Sequence, residues 1–417
     1  MIGPGQGDKG AAEAALFAAL GAALPGFAGE IAVAVSGGGD SMALLALASE
    51  MPGWRVQAVT VDHGLRAEAA AEAALVARFC ATRGIPHATL RWQHDGAPPG
   101  NLMQAARRAR LSLIGDWARG RGIAHVLLAH TAQDQAETLL MGLTRAAGLD
   151  GLSRIRPRWT EGGVTWLRPL LGASRDDLRR VLTARGIGWA EDPTNRDDRF
   201  LRARVRKALQ PLAPLGITAA ALAQSAAALA QSRAALERMT DRAAAGVEER
   251  AGALRLDPAQ LATTDPEILR RLLLRAMAWL TRAPHAPRAQ SVQTLIAAVQ
   301  AGQAATLAGV RLVPAKGALW LCREARALGP AVAPGQLWDG RWQVRGPFQA
   351  GDEVAALGAT GLRAVPDWRA YGLPRTVLLA TPAVWRQGHP VAAPALTPGP
   401  DWQGGVAPAF PALHIAP

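Results

Sequence analysis

The chain has 417 residues, a length that implies two or three domains at roughly 100–200 residues each and excludes a lone small module. Hydrophobic residues make up 49% and charged residues 19%, as in ordinary globular chains, which excludes overall disorder and a coiled coil. The formal net charge of +13 favours a polyanionic partner such as nucleic acid, although all but Lys9, Lys207 and Lys316 of the 46 basic side chains are arginine, and beside so much Ala, Gly and Pro this reads partly as codon bias.

Residues 1–30 carry Glu13 early and lack the basic start and compact apolar run of a signal peptide. Residues 31–35 read as a buried strand and residues 42–47 as the helical run after it. Residues 55–61 read as a second strand, 101–110 as a helix and 123–129 as a later strand. Short apolar runs alternating with helical stretches to about Arg145 predict βαβ units around a parallel sheet. These strands end in polar residues, at Ser36, Asp62 and His130, where doubly wound sheets form their ligand crevice. Residues 211–216 form a Pro-broken linker, followed by Ala-rich helical sequence over 217–249 and again over 266–280. Residues 304–321 read as a hairpin turning at Pro314, Lys316 and Gly317. A second linker at 330–335 leads into Gly-, Pro- and Trp-rich sequence with strand-like pieces such as 375–380. The expected architecture is therefore α/β: a doubly wound parallel sheet over 1–212, a mainly helical middle domain over 213–329 and a small β-containing domain over 330–417. Cys80 and Cys322 lie too far apart for a disulfide framework, a zinc ribbon or a CxxC pair, which fits a reducing cytosol. The longest uncharged stretch, 208–232, is too polar and too broken to cross a bilayer.

The sharpest local feature is Ser36-Gly37-Gly38-Gly39-Asp40-Ser41 between a strand and a helix. Glycines let backbone N–H groups approach an anion, and the following helix offers its unpaired N–H groups and positive dipole end. No Lys follows the glycines and no GxGxxG can be read, so ordinary P-loop and dinucleotide readings weaken. The bland alternative is a capped strand-to-helix turn without a ligand. Asp62-His63-Gly64-Leu65-Arg66 follows the second strand and is by itself as readily a polar turn. After His130, Asp134 and Glu137 stand three residues apart on one helical face, where two carboxylates can grip an ammonium, or merely satisfy the helix dipole.

Together VSGGGDS at 35–41, VDHGLR at 61–66, HTAQDQAETLLMGLTRAAGLDGLS at 130–153, RPLL at 168–171 and EDPTNRDDRFLRARVR at 191–206 resemble the tRNA(Ile)-lysidine synthetase family of PP-loop ATP pyrophosphatases. The resemblance implies ATP-dependent attachment of free L-lysine to C2 of the wobble cytidine in an isoleucine tRNA with a CAU anticodon. It passes through an adenylated base and releases AMP and pyrophosphate. It implies that Ser36, Gly37, Gly38, Gly39, Asp40 and Ser41, with Asp62, His63 and His130, bind the nucleotide and that Asp40 holds Mg²⁺. Asp134 and Glu137 would recognise lysine, Arg110 would neutralise phosphate and Arg202 would be the catalytic arginine. A cytoplasmic location with no membrane attachment is implied, a homodimer is compatible with it, and the second and third domains would serve tRNA binding. Two departures stand out: Gln133 where the family has a second Asp, and Ala203 where it has Asn. The competing readings are a catalytically silent tRNA-binding protein and a cytidine thiolase of the same superfamily. Trp338, Trp342, Trp368 and Trp385 are expected to pack in cores rather than stack on bases.

Overall fold

The computed structural model describes residues 6–64, 69–93, 102–191, 199, 201–283, 285–397 and 401–410. Leu65 and Arg66 of the second motif, Asn101 at the expected helix start, residues 192–198 and Phe200 lie outside the described residues. The chain divides into two compact units, Met1–Arg233 and Ala234–Pro417.

The first unit opens with α1 (Gln6–Ala23), β1 (Gly29–Ala34), α2 (Gly39–Ala48), β2 (Trp54–Asp62), α3 (Ala69–Thr82) and β3 (His87–Arg91). It continues with α4 (Leu102–Gly120), β4 (His125–Leu127), α5 (Ala132–Leu143), α6 (Leu149–Leu152), β5 (Arg158–Glu161), β6 (Val164–Leu167), α7 (Arg175–Ala184) and α8 (Leu201–Leu209). The strands form one sheet in the order β3-β2-β1-β4-β6-β5, parallel throughout except that β5 runs antiparallel to β6. The chain winds outward from β1 to β3 and then returns to add β4 on the other side of β1. That reversal places a crevice beyond the carboxyl ends of β1 and β4. Ile31, Val33 and Val35 on one side and Met42 through Ala48 on the other are buried, so the loop at 36–41 hangs between two fixed ends. Each such large side chain stabilises the fold by about 1.5–3 kcal/mol. The β5–β6 hairpin was not legible from the sequence: its strands are short, and its turn at Gly162 and Gly163 has positive φ at both residues.

The second unit takes in the end of α9 (Ala219–Ala245), then β7 (Glu248–Arg250), β8 (Ala253–Leu256), α10 (Pro258–Thr263), α11 (Pro266–Thr281) and α12 (Ala289–Gln300). β9 (Ala305–Leu307), β10 (Val310–Ala315) and β11 (Ala318–Arg323) complete a sheet in the order β7-β8-β11-β10-β9. The expected hairpin is present, with Lys316 and Gly317 both at positive φ in a two-residue turn. Beyond it lie β12 (Trp342–Arg345), β13 (Asp352–Ala356), α13 (Gly358–Arg363), α14 (Arg375–Leu379), β14 (Pro382–Arg386), β15 (His389–Ala392) and β16 (Gln403–Val406). Residues 375–380, expected as strand-like, form α14 instead. A short apolar run does not specify its own period, and Pro374 sets the backbone for a helix start. Trp338 and Trp342 are buried, while Trp368 and Trp385 pack against the same unit's cores, as expected. Cys80 and Cys322 are each buried as free thiols. Among the described residues no single helix is long and apolar enough to cross a membrane.

Candidate functional site

The loop is built from its backbone. Gly37 has φ +85°, and a Cβ there would stand 3.2 Å from Glu72, so both conformation and space favour glycine. Ala190 N–H donates to Gly37 O at 2.9 Å, and Trp189 stands against Gly39, so residues 189–190 form the loop's outer wall. Ser41 Oγ accepts from Ser36 N–H at 3.1 Å and donates to Gly38 O at 2.9 Å, which braces the two ends of the turn. The N-cap residue of α2, Gly38, has no side chain with which to cap it. Its first N–H groups, at the positive end of the helix, are left for an anion.

Beside the loop, α5 begins with Thr131, whose N–H and Oγ1 both donate to Asp134 Oδ2 at 2.9 Å. That fixes Asp134 on the first turn and carries buried Glu137 to the same face. The segment before α7 is tied to this helix start: Ala132 N–H donates to Ala173 O at 3.0 Å, Gln135 Nε2 to Leu171 O at 3.0 Å and Arg175 N–H to Gln133 Oε1 at 3.1 Å. Gln133, one of the two departures, thus works as an acceptor that seats Arg175. Ala203, the other, is buried within α8.

Arg175 then joins three carboxylates. Its Nε reaches Asp40 at 3.0 Å, Nη2 reaches Asp134 at 3.0 Å and Nη1 reaches Glu137 at 3.2 Å. Burial opposes its charge, but Asp134, Glu137 and Asp40 outweigh burial and hold its pKa above the ordinary arginine value. Burial chiefly raises the pKa of Asp40, with neighbouring Asp134 adding to the rise and Arg175 opposing it. From α8, Arg202 reaches Asp134 at 2.6 Å and Glu137 at 2.5 Å, and Arg206 reaches Glu137 at 2.8 Å.

The other wall of the crevice is cationic. Arg168, just past β6, donates through Nε to His130 Nδ1 at 3.1 Å and lies over the Trp159 ring at 4.2 Å. Burial, then Arg107 and Arg110, push its pKa down to about 9. Arg110 on α4 has a buried Nε with no hydrogen-bond partner among the described residues, and burial, Arg107 and Arg202 bring its pKa down to about 10. Burial, then Arg168, Arg110, Arg107 and Arg202, hold His130 well below the usual histidine range. His130 is therefore neutral, and with Nδ1 accepting, its Nε2 carries the proton. Arginines with depressed pKa values around one imidazole form a pocket suited to an anion.

The structure thus brings Asp40, Asp134, Glu137 and Arg202 together and sets Arg110 and His130 close by. Asp62 and His63 stand at the end of the next strand, where Asp62 accepts from Gly64 N–H at 2.9 Å and His63 meets Trp92 edge to face. Sequence reasoning missed Arg175 as a site residue and gave Arg168 and Arg206 no role beyond membership of the matching stretches 168–171 and 191–206. Arg175 carried one signal: a cation on the first turn of a helix opposes the helix dipole and needs carboxylates to offset it.

A glycine loop leaving the first strand of a parallel sheet, at the reversal of strand order, defines the class of α/β proteins that bind nucleotide phosphates. Residues 20–213 match the PP-loop domain family. A relative from Ruegeria pomeroyi, tRNA(Ile)-lysidine synthase, is 45% identical over 369 residues, covering 87% of this chain and 88% of that one. Proteins of the same name from Bradyrhizobium diazoefficiens and Mesorhizobium japonicum are 41% and 36% identical, covering 67% and 84% of this chain and 80% and 81% of theirs. The chain belongs to the tRNA(Ile)-lysidine synthase family.

Proposed function

We propose that the chain forms lysidine on an isoleucine tRNA, as a ligase that spends ATP to join lysine to C2 of the wobble cytidine of a CAU anticodon. The observation that carries this reading is the meeting of a carboxylate cluster and an anion-seeking arginine wall beside one phosphate loop. Ser36 to Ser41 take the departing pyrophosphate, and Arg110, with Arg168 beside it, faces the remaining phosphate charge. Asp40 is a hard oxygen donor next to phosphate, the donor set Mg²⁺ prefers, and the ion would neutralise phosphate charge there. His130 offers an Nε2–H to an oxygen of the nucleotide.

The first step puts AMP on the C2 oxygen of the base and so turns a poor leaving group into a good one. In the second, an uncharged amine attacks C2 and AMP leaves with the C–O electron pair. An ammonium gripped by Asp134 and Glu137 has no lone pair to attack with, so the pair holds one amine of lysine while the other reacts. Burial pushes both thiols, Cys80 and Cys322, up to about 11, which disfavours a thiolase that works through them. We further assign a cytoplasmic place of action and tRNA contacts by the parts beyond residue 212.

The test is mass spectrometry of a CAU-anticodon isoleucine tRNA after incubation with ATP, Mg²⁺ and lysine. A mass gain equal to condensed lysine is expected, and an unchanged tRNA overturns the reading. Asp134→Asn is expected to abolish lysine-dependent turnover while nucleotide binding persists.

A further inference from the structure

Three carboxylates, Asp40, Asp134 and Glu137, face three guanidiniums, Arg175, Arg202 and Arg206, and the acceptor oxygens of the inner pair are all engaged. Asp134 Oδ2 is committed to Thr131, and its Oδ1 accepts from both Arg175 and Arg202. Glu137 Oε1 accepts from Arg175 and Arg206, and Oε2 from Arg202. Both oxygens of Asp134 and Oε1 of Glu137 already accept twice and Oε2 once, so an alkylammonium that bridges the two carboxylates needs one guanidinium to leave.

The geometry distinguishes the candidates. Arg175 has a side chain only 19% exposed, spans three carboxylates on two helices, and has its backbone N–H pinned by Gln133. Arg202 is 43% exposed and holds two carboxylates. It also lies close enough to Arg107, Arg110 and His130 to act on their charge, so an anion bound there attracts it. We propose that Arg175 is a positioning residue that makes Asp40, Asp134 and Glu137 one site, and that Arg202 is an exchangeable occupant whose place the substrate ammonium takes. This rests on the amine-ligating function proposed above. Two arginines on the same oxygens then act in opposite directions: Arg175 supports amine binding, and Arg202 competes with it until it turns toward phosphate.

The test is calorimetric titration of the full chain with L-lysine, without nucleotide, alongside steady-state kinetics on the tRNA. Arg202→Gln is expected to tighten lysine binding about 3- to 10-fold and to lower both the lysine KM and kcat. Arg175→Gln is expected to weaken lysine binding about 10-fold or more, the scale of losing a charge-assisted hydrogen bond. Arg175→Lys restores charge but not three-point geometry, so it should remain weaker than the unmodified chain. If Arg175→Gln does not fold, Arg175→Lys decides, and an unchanged affinity overturns the role. Loss of affinity in both the Arg175 and Arg202 variants, from a protein that still makes lysidine when unmodified, overturns this inference alone. An unmodified protein that neither binds lysine nor alters the tRNA overturns the proposed function with it.

Discussion

Arg275 of the second unit is 2% exposed and Arg110 of the first buries its Nε, and the surroundings of the two differ in one respect. Arg275 gives Nη1 to Asp241 at 2.6 Å and Nη2 to Glu237 at 3.1 Å, and its neighbour Arg271 is paired in the same way with Glu237 and Glu267. Arg110 has an unpartnered Nε among the described residues and is surrounded by like charge from Arg107 and Arg202. A matched guanidinium stabilises a fold, whereas an unmatched one costs free energy until an anion arrives. Burial alone therefore does not reveal the role of an arginine; its counter-ions do.

The sharpest way to break this contrast is Arg110→Met. Turnover is expected to fall about 10²- to 10³-fold, the scale of losing one preorganised charge-stabilising donor, while thermal stability holds or rises. A large drop in melting temperature would place Arg110 with Arg275 instead. AMP, which carries the phosphate that remains once pyrophosphate departs, offers a second probe, since a ligand that binds only the folded chain at about 100 times its Kd adds about 2.7 kcal/mol. Its protection against thermal unfolding should be clear for the unmodified chain and small for Arg110→Met.

Arg275→Met should act in the opposite sense, leaving kcat and KM unchanged and lowering stability in urea titrations by about 1–2 kcal/mol. The figure is kept below that for a fully buried pair because Glu237 and Asp241 are 41% and 44% exposed and can rehydrate. The smallest effect is that of pH on His130. Its folded pKa is depressed by burial and then by the arginines, so below the unfolded value near 6.5 the unfolded chain binds the extra proton. Stability should be constant above that pH and fall as pH drops below it, by at most about 1.4 kcal/mol per unit for this one group. His87 and His125, also lowered by burial, add to the slope. Urea titrations at several pH values should show a shallower slope in His130→Gln.

Much of this site was legible in the sequence because its parts follow strand ends. Ser36 to Ser41, His130 and the Asp134–Glu137 pair each sit where a short apolar run stops and a helix starts, a pattern that local periodicity exposes. Arg175 was not legible: its partner Asp40 lies 135 residues away in sequence and is brought to it only by packing of α7 on α2. Arg168 was visible as part of RPLL, but its link to His130 depends on β4 and β6 being neighbours, a pairing no local pattern states. Residues 375–380 failed for the converse reason, since four apolar residues, Val377 to Ala380, fit either period until their neighbours choose.

Asp134 divides its two oxygens between different duties: one closes the first turn of a helix on Thr131, and the other faces the crevice. An amide in its place would keep only one acceptor and would turn an NH₂ toward either a backbone donor or an incoming cation, both of which repel it. Recognition and helix initiation are thereby fused into a single heritable choice. A descendant that gave up the ligand at this position would also have to rebuild the start of the helix that presents it.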